Sequence, residues 1–226
     1  MILCAGFGER MRPLTEHTPK PLLRVGDVPL MEYHIRGLAE AGIQELVVNV
    51  SHLGSQIMDY CGDGSRWGVH IRYSEEGRPL ETAGGIQRAL PLLGVEPFLV
   101  VNGDVWIDYP FGQISDYTLK SWEKAHLVMV DNPPQHPLGD FCLASGGEVS
   151  YRVEGEIGYT YAGLGLYSPE FFAGVAAGKL ALRPLLDAAI AQGALGAEHY
   201  RGDWEDVGTP ERLEALDRRV RSAAKK

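Results

Sequence analysis

Two glycines and three cations crowd the start of the chain. They lie in the string Gly6-Phe7-Gly8-Glu9-Arg10-Met11-Arg12-Pro13-Leu14-Thr15, followed by Thr18-Pro19-Lys20-Pro21-Leu22-Leu23. A glycine turn at the end of a strand lets backbone N–H groups approach phosphate oxygens closely. Arg10, Arg12 and Lys20 supply the positive charge that a phosphate needs. Spacing excludes two common phosphate loops. A dinucleotide fingerprint requires G-x-G-x-x-G, and Met11 stands where the third glycine belongs. A Walker A loop requires G-x-x-x-x-G-K-[ST], whereas Gly178-Lys179 runs on to Leu180. Alone, the turn reads first as a strand-to-helix connection with solvated arginines.

Two carboxylates lie far apart in sequence. Phe98 to Asn102 is a strong strand pattern that runs into Gly103-Asp104, and ligands of open α/β sheets bind at such strand ends. Asp206 follows in Gly202-Asp203-Trp204-Glu205-Asp206-Val207-Gly208-Thr209-Pro210. Two hard oxygen ligands, completed by phosphate oxygens and water, suit Mg²⁺, which rarely receives an all-protein cage. The plainer alternative makes Asp104 a turn cap and Asp206 a cap before Pro210.

The elements that must position these residues alternate. A short strand at Met1 to Ala5 precedes the glycine turn. A helix is predicted over Leu30 to Ala41, with Gly42 as its C-cap, and a buried strand over Glu45 to Val50. Further predictions are a helix at Gly54 to Cys61, a strand at Val69 to Tyr73, a helix at Thr82 to Leu93, the strand Phe98 to Asn102, a helix near Gln113 to Lys124 and a strand at His126 to Val130. This alternation implies an α/β fold, a Rossmann-like, mostly parallel sheet with helices on both faces. From residue 131 the texture changes. Pro133, Pro134 and Pro137 break the pattern, and short strands are expected near Phe141, Val149 to Val153 and Tyr159 to Tyr167. Residues 131–167 are therefore expected to form a small inserted antiparallel lobe within one domain spanning residues 1–226. Helices at Leu182 to Ala191 and Pro210 to about Ala223 close the chain.

The chain of 226 residues carries 21 Lys+Arg against 30 Asp+Glu, a net charge of −9, which argues against binding nucleic acid or an anionic membrane. Apolar residues at 45% are enough for a globular core. Three scattered cysteines with no C-x-x-C give neither a disulfide framework nor a thiolate zinc site. Without a basic, apolar leader or a membrane-length apolar run, a cytoplasmic protein is expected. The 28 glycines exceed the usual share of about 7% and call for local explanations.

The whole N-terminal string closely resembles the signature of the sugar-1-phosphate nucleotidylyltransferases, Gly-x-Gly-x-Arg-(Leu/Met)-x-Pro-Leu-Thr followed by Pro-Lys-Pro-Leu. Every fixed position is met, from Gly6, Gly8 and Arg10 to Pro19, Lys20, Pro21 and Leu22. Val101-Asn102-Gly103-Asp104 resembles the strand-end motif whose aspartate binds Mg²⁺ in that family. Trp204-x-Asp206-x-Gly208-Thr209 resembles its second metal motif, and Leu80-Glu81-Thr82-Ala83-Gly84-Gly85 its nucleotide-side helix start.

The resemblance implies a nucleotide-diphospho-sugar transferase fold, Mg²⁺ as cofactor, and UTP and a sugar-1-phosphate as partners of a monomer or weak homo-oligomer. Arg10, Lys20 and Asp104 would be catalytic, and Asp104 and Asp206 would bind the metal. Gly6, Gly8, Glu9, Arg10, Lys20, Gly77, Thr82, Gly84 and Gly85 would meet the nucleotide. Asn102, Gly139, Glu154 and Tyr161 would meet the sugar. The family's lobe often carries Glu-Lys-Pro, but Tyr151-Arg152-Val153-Glu154-Gly155-Glu156-Ile157 has no lysine. Arg152 is the candidate substitute, and Arg152 or Arg201 would meet any acid on the sugar. The implied chemistry needs no general base, because a sugar phosphate is already an anion near neutral pH. Alternatives are another nucleotide or sugar within the family, or an inactive nucleotide-sugar-binding regulator. A glycosyltransferase would normally show Asp-x-Asp at the strand end, where Asp104-Val105-Trp106 stands.

Overall fold

The computed structural model describes residues 1–223. Strand β1 (Ile2–Leu3) leads into three 3-10 turns at Glu9–Met11, Leu14–Glu16 and Lys20–Leu22. The hairpin β2 (Arg24–Val25) and β3 (Val28–Pro29), α1 (Leu30–Glu40), β4 (Glu45–Val50), α2 (Gly54–Cys61), β5 (His70–Glu75) and α3 (Glu81–Leu93) follow. Next come β6 (Phe98–Asn102), β7 (Val105–Ile107), α4 (Phe111–Ser115), β8 (Ala125–Val130), β9 (Phe141–Leu143), β10 (Val149–Tyr151) and β11 (Thr160–Tyr167). The chain then forms α5 (Arg183–Ala191), β12 (Leu195–Tyr200), β13 (Trp204–Asp206) and α6 (Pro210–Ala223).

Seven strands form the main sheet in the order β12-β8-β11-β6-β1-β4-β5. All run parallel except β11, which is antiparallel to both β6 and β8. Because the strands are covered on both faces, they read as apolar runs whose alternate residues enter different cores. Leu46, Val48 and Val50 of β4 join one core with Ile35 of α1 and Ile57 of α2. Val47, on the opposite face, meets Ala83 and Ile86 of α3 and Leu186 of α5. A third, smaller core packs Met11, Leu23 and Val25 with Val207, just after β13, and with Leu216 of α6. It ties the glycine segment to the last helix.

The strands β4 and β6 and the helix α2 match their sequence expectations residue for residue. Two expectations are corrected. The helix expected near Gln113 to Lys124 stops at Ser115. The buried Glu123 carboxylate draws in the Tyr117 hydroxyl at 2.8 Å and the Lys120 N–H at 3.0 Å, and this local bonding displaces the helix. The strand expected in the inserted lobe, β11, belongs to the main sheet. The lobe is the β9–β10 hairpin with its loops, and its Phe141 and Val149 share the core beneath the sheet. Strand β12 was not expected. Its sequence, with Gly196, Ala197 and Glu198, has little β character and is ordered by pairing with β8.

Gly84 explains one glycine by packing. A Cβ there would strike the carbonyl oxygen of Gly178 and lie 3.1 Å from the Leu180 nitrogen. The same contact is stitched by Gly84 N–H to Leu180 O at 3.0 Å and Leu180 N–H to Leu80 O at 2.9 Å. Gly84→Ala is expected to lower stability by about 1–3 kcal/mol, because backbone on one side and helix on the other leave no room to yield. Urea unfolding checks this.

Candidate active site

A cleft of about 600 Å³ opens at the carboxyl ends of the parallel strands. It is lined by the glycine turn after β1, by Glu76, Pro79, Glu81 and Thr82 beyond β5, by Asn102 and Asp104 at the end of β6, and by Gly208 beyond β13. Since β5 and β6 lie on opposite sides of β1 in the sheet, the turn occupies the middle of the cleft. Of the candidates, Gly6, Gly8, Glu9, Arg10, Lys20, Thr82, Asn102 and Asp104 line it, and Asp206 does not.

The turn is built by sterics. Gly8 sits at φ 64°, and a Cβ there would come within 2.9 Å of the Thr15 methyl and 3.3 Å of the Lys20 Cβ. Its carbonyl accepts the Thr15 hydroxyl and the Met11 N–H, each at 2.8 Å. The Thr15 of the motif is thus a brace for the turn. Gly6 faces open space, while Glu9 and Arg10 are exposed at the cleft mouth.

Lys20 is 7% exposed, yet its ammonium has a partner, Asp104 Oδ2 at 2.6 Å. Asp104 is held in reach by Gly103, whose N–H donates to Leu3 O at 2.9 Å. A Cβ at Gly103 would lie 2.7 Å from that oxygen, so only glycine lets the β6–β7 turn close on β1. Beneath, the buried His34 ring bonds the Val105 carbonyl at 3.0 Å, and burial lowers its pKa to about 4. It is therefore a neutral prop for β7.

Asp206 is beside Asp104, because β13 pairs with β7 so that Asp206 opposes Val105. The Val207 N–H donates to the Asp104 carbonyl at 3.2 Å. Arg212, in the first turn of α6, donates to Asp206 Oδ2 at 2.8 Å and to its carbonyl at 2.9 Å. The Trp204 indole donates to Ala162 O at 2.9 Å, which shows what the tryptophan of Trp-x-Asp does: it anchors β13 to β11. Each of the two aspartates is answered by a cation, and carboxylate oxygens are ligands that suit a hard divalent ion. Among the described residues no group of three or more His, Cys, Asp or Glu could form a complete cage, so phosphate oxygens and water would have to finish the shell.

Several candidates have other duties. Gly85 leaves room for a buried pair, since a Cβ there would lie 2.6 Å from Glu76 Oε1 and 2.9 Å from Asn49 Nδ2. Gly84 packs against the segment at Gly178 rather than facing the cleft, and Gly77 is an exposed turn beyond the lining. The Tyr161 hydroxyl is spent on the Tyr167 hydroxyl at 2.9 Å, and burial pushes its pKa up to about 12. Gly139, at φ 70°, shapes a tight turn in the lobe, and Glu154 is exposed on the lobe's loop; neither lines the cleft.

The sequence reading missed Asn49 and Glu76. Asn49 Oδ1 accepts the Cys4 N–H at 2.8 Å, and its Nδ2 donates to Glu76 Oε1 at 2.7 Å. Glu76 Oε2 accepts the Leu80 N–H at 2.8 Å. A polar residue in the otherwise apolar run of β4 was the available signal. Arg212, one residue past the second aspartate's loop and its proline turn, was also missed. Glu81, at φ 59°, is a strained non-glycine residue on the cleft wall, a conformation that costs about 1–3 kcal/mol.

The parallel strands present a glycine turn, a buried lysine and Asp104 at their carboxyl ends, while Asp206, on the antiparallel β13, stands outside the cleft lining. The Nucleotidyl transferase family profile matches residues 1–222, and the chain belongs to this family. It is 50% identical, over 94% of both chains, to the N-acetylmuramate alpha-1-phosphate uridylyltransferase of Neisseria meningitidis serogroup B. It is 32% identical to the enzyme of the same name from Caulobacter vibrioides, covering 99% of this chain and 97% of that one. In fold it is similar to a Bacillus anthracis structure provisionally described as a glucose-1-phosphate thymidylyltransferase, in complex with sucrose. That match has a TM-score of 0.85 and 20% identity, over 97% of this chain and 94% of that chain. Among the described residues no helix is long and apolar enough to cross a membrane.

Lys20→Met, which keeps the buried stem and removes the charge, is expected to stay within about 1 kcal/mol of wild-type stability. Asp104→Ala is expected to cost more, because it strands a buried ammonium. Thermal unfolding of the two variants side by side checks this asymmetry.

Proposed function

We propose that the chain transfers a uridylyl group from UTP to N-acetylmuramate α-1-phosphate, giving UDP-N-acetylmuramate and pyrophosphate. The observation that carries this reading is the meeting of the glycine turn, Lys20 and Asp104 in one cleft, in a chain 50% identical to a uridylyltransferase of that name. The acceptor is a cell-wall sugar, so the reaction would serve peptidoglycan recycling in the cytoplasm.

The sheet order supports a direction for the substrates. Phosphates belong at the central turn, so the base lies toward β5 and α3. The sugar then lies toward β6 and the lobe, where Asn102 lines the cleft. Backbone N–H groups around Gly8, with Arg10, take the β- and γ-phosphates. Lys20 turns from Asp104 to the α-phosphate. An oxygen of the sugar phosphate, already anionic, attacks the α-phosphorus, and the bond to pyrophosphate breaks in line. No residue must remove a proton. Mg²⁺ held by Asp104 and Asp206 would clamp the two polyanions and withdraw charge from the phosphorus. The protein's share is positioning and charge neutralisation. Arg212 keeps Asp206 oriented, and Arg152 or Arg201 would answer the carboxylate of the sugar's lactyl group.

Pyrophosphate release is expected with UTP, Mg²⁺ and N-acetylmuramate-1-phosphate, well above release with glucose-, N-acetylglucosamine- or mannose-1-phosphate. A preference for GTP with mannose-1-phosphate would move the chain to another specificity of the family. No release across the whole panel would favour a regulatory role. Lys20→Met and Asp104→Asn are each expected to lower turnover about 100-fold or more, in keeping with loss of a transition-state charge partner.

A further inference from the structure

His34 lies on the buried side of α1 with Met31, Ile35 and Leu38, three residues of the largest core. It is itself fully buried. Its Nε2 donates to the Val105 carbonyl at 3.0 Å, whereas Nδ1 is buried with no partner among the described residues. An orphaned nitrogen in a core costs stability, and methionine or leucine would fill the same space without one. The ring is also held in place. Phe111 meets it edge-on at 6.1 Å, and that phenyl ring is admitted by Gly37, where a Cβ would lie 2.8 Å from it.

The carbonyl that His34 holds belongs to the residue after Asp104. On the other side of Asp104, the Gly103 N–H is fixed to Leu3 O at 2.9 Å. Asp104 therefore sits between two anchored peptide groups. The Asn102 carbonyl, at the far end of the same turn, also acts on the imidazole. His34 thus supports both ends of the turn Asn102 to Val105, and two residues of that turn, Asn102 and Asp104, line the cleft. The Asp104 carboxylate is 40% exposed, and its reach to Lys20 at 2.6 Å depends on where this backbone is held.

Resting on the uridylyltransferase reading, we propose that His34 is a positioning residue for the reaction: by fixing the Val105 carbonyl, its Nε2–H sets the place of Asp104 in the cleft. It touches no substrate and moves no proton. The core by itself asks only for an apolar side chain at this point of α1, so the donor, kept together with an orphaned nitrogen, answers to the turn above it. Displacing a reacting group by about 1 Å can cost about 100-fold in rate, which gives such a support its value.

Pyrophosphate release from UTP and N-acetylmuramate-1-phosphate with Mg²⁺ is measured at saturating substrate for wild type, His34→Gln and His34→Met, below the melting temperature of each. The glutamine amide keeps a donor where Nε2 stands, and methionine keeps only the bulk. His34→Gln is expected within about threefold of wild-type turnover and His34→Met about tenfold or more below it. His34→Met is then combined with Asp104→Asn. There it should cost less than about twofold, because the residue it acts through is already disabled, whereas a merely structural loss would multiply. If His34→Met does not fold, His34→Asn, whose amide stops short of the Val105 oxygen, replaces it in both arms. Wild-type turnover in His34→Met, equal losses in His34→Gln and His34→Met, or the same fold-loss with and without Asp104→Asn overturns the proposal and leaves the uridylyltransferase reading intact. Wild type without turnover overturns both.

Discussion

A buried ammonium is tolerated only where its charge is answered, and for Lys20 the answer comes from 84 positions further along the chain. That single pairing sets much of the site's shape. It requires the turn after β1 to fold back so that Lys20 passes beside Gly8, where a larger residue would not fit. It requires the β6–β7 turn to close on β1, which Gly103 permits. It also keeps the carboxylate and the cation from being left uncompensated in the cleft.

The second carboxylate repeats the arrangement with different means. Asp206 is held by Arg212, and Arg219 reaches Asp203 at 3.2 Å. The helix α6 therefore carries the cations that make an acidic loop affordable beside Asp104. A net charge of −9 tells against long phosphate polymers, yet it hides this local balance. A small anion senses only the few cations and backbone N–H groups nearest to it, and the sum over the whole chain is nearly irrelevant to it.

Much of this was legible from residue order, for physical reasons. The strands β4 and β6 are apolar on both faces, and α2 has helical spacing between turn residues, so local pattern and tertiary demand agree there. That Gly6, Gly8, Arg10 and Lys20 share one cleft was legible because they lie close in sequence around a single glycine turn. What was not legible depended on distant partners. The helix expected beyond Ser115 is undone by the buried Glu123. Gly84 and Gly85 look like ligand-side glycines until their neighbours across the fold are known. Tyr161 looks free until Tyr167 claims its hydroxyl. Asn49 and Glu76 are ordinary polar residues in sequence, and only the folded chain makes them a buried pair.

The docking of α6 onto Met11, Leu23 and Val25 has a bearing on how the protein is made. Synthesis proceeds from the N-terminus, and the glycine turn, Lys20 and Asp104 all leave the ribosome well before Asp206 and Arg212. The two aspartates come together only when β13 pairs with β7 and the final helix seals the third core. A nascent chain accordingly cannot bring Asp206 to its place beside β7, however well its sheet has formed, and a chain cut short before α6 lacks Arg212, which holds that aspartate, and the helix that seals the third core.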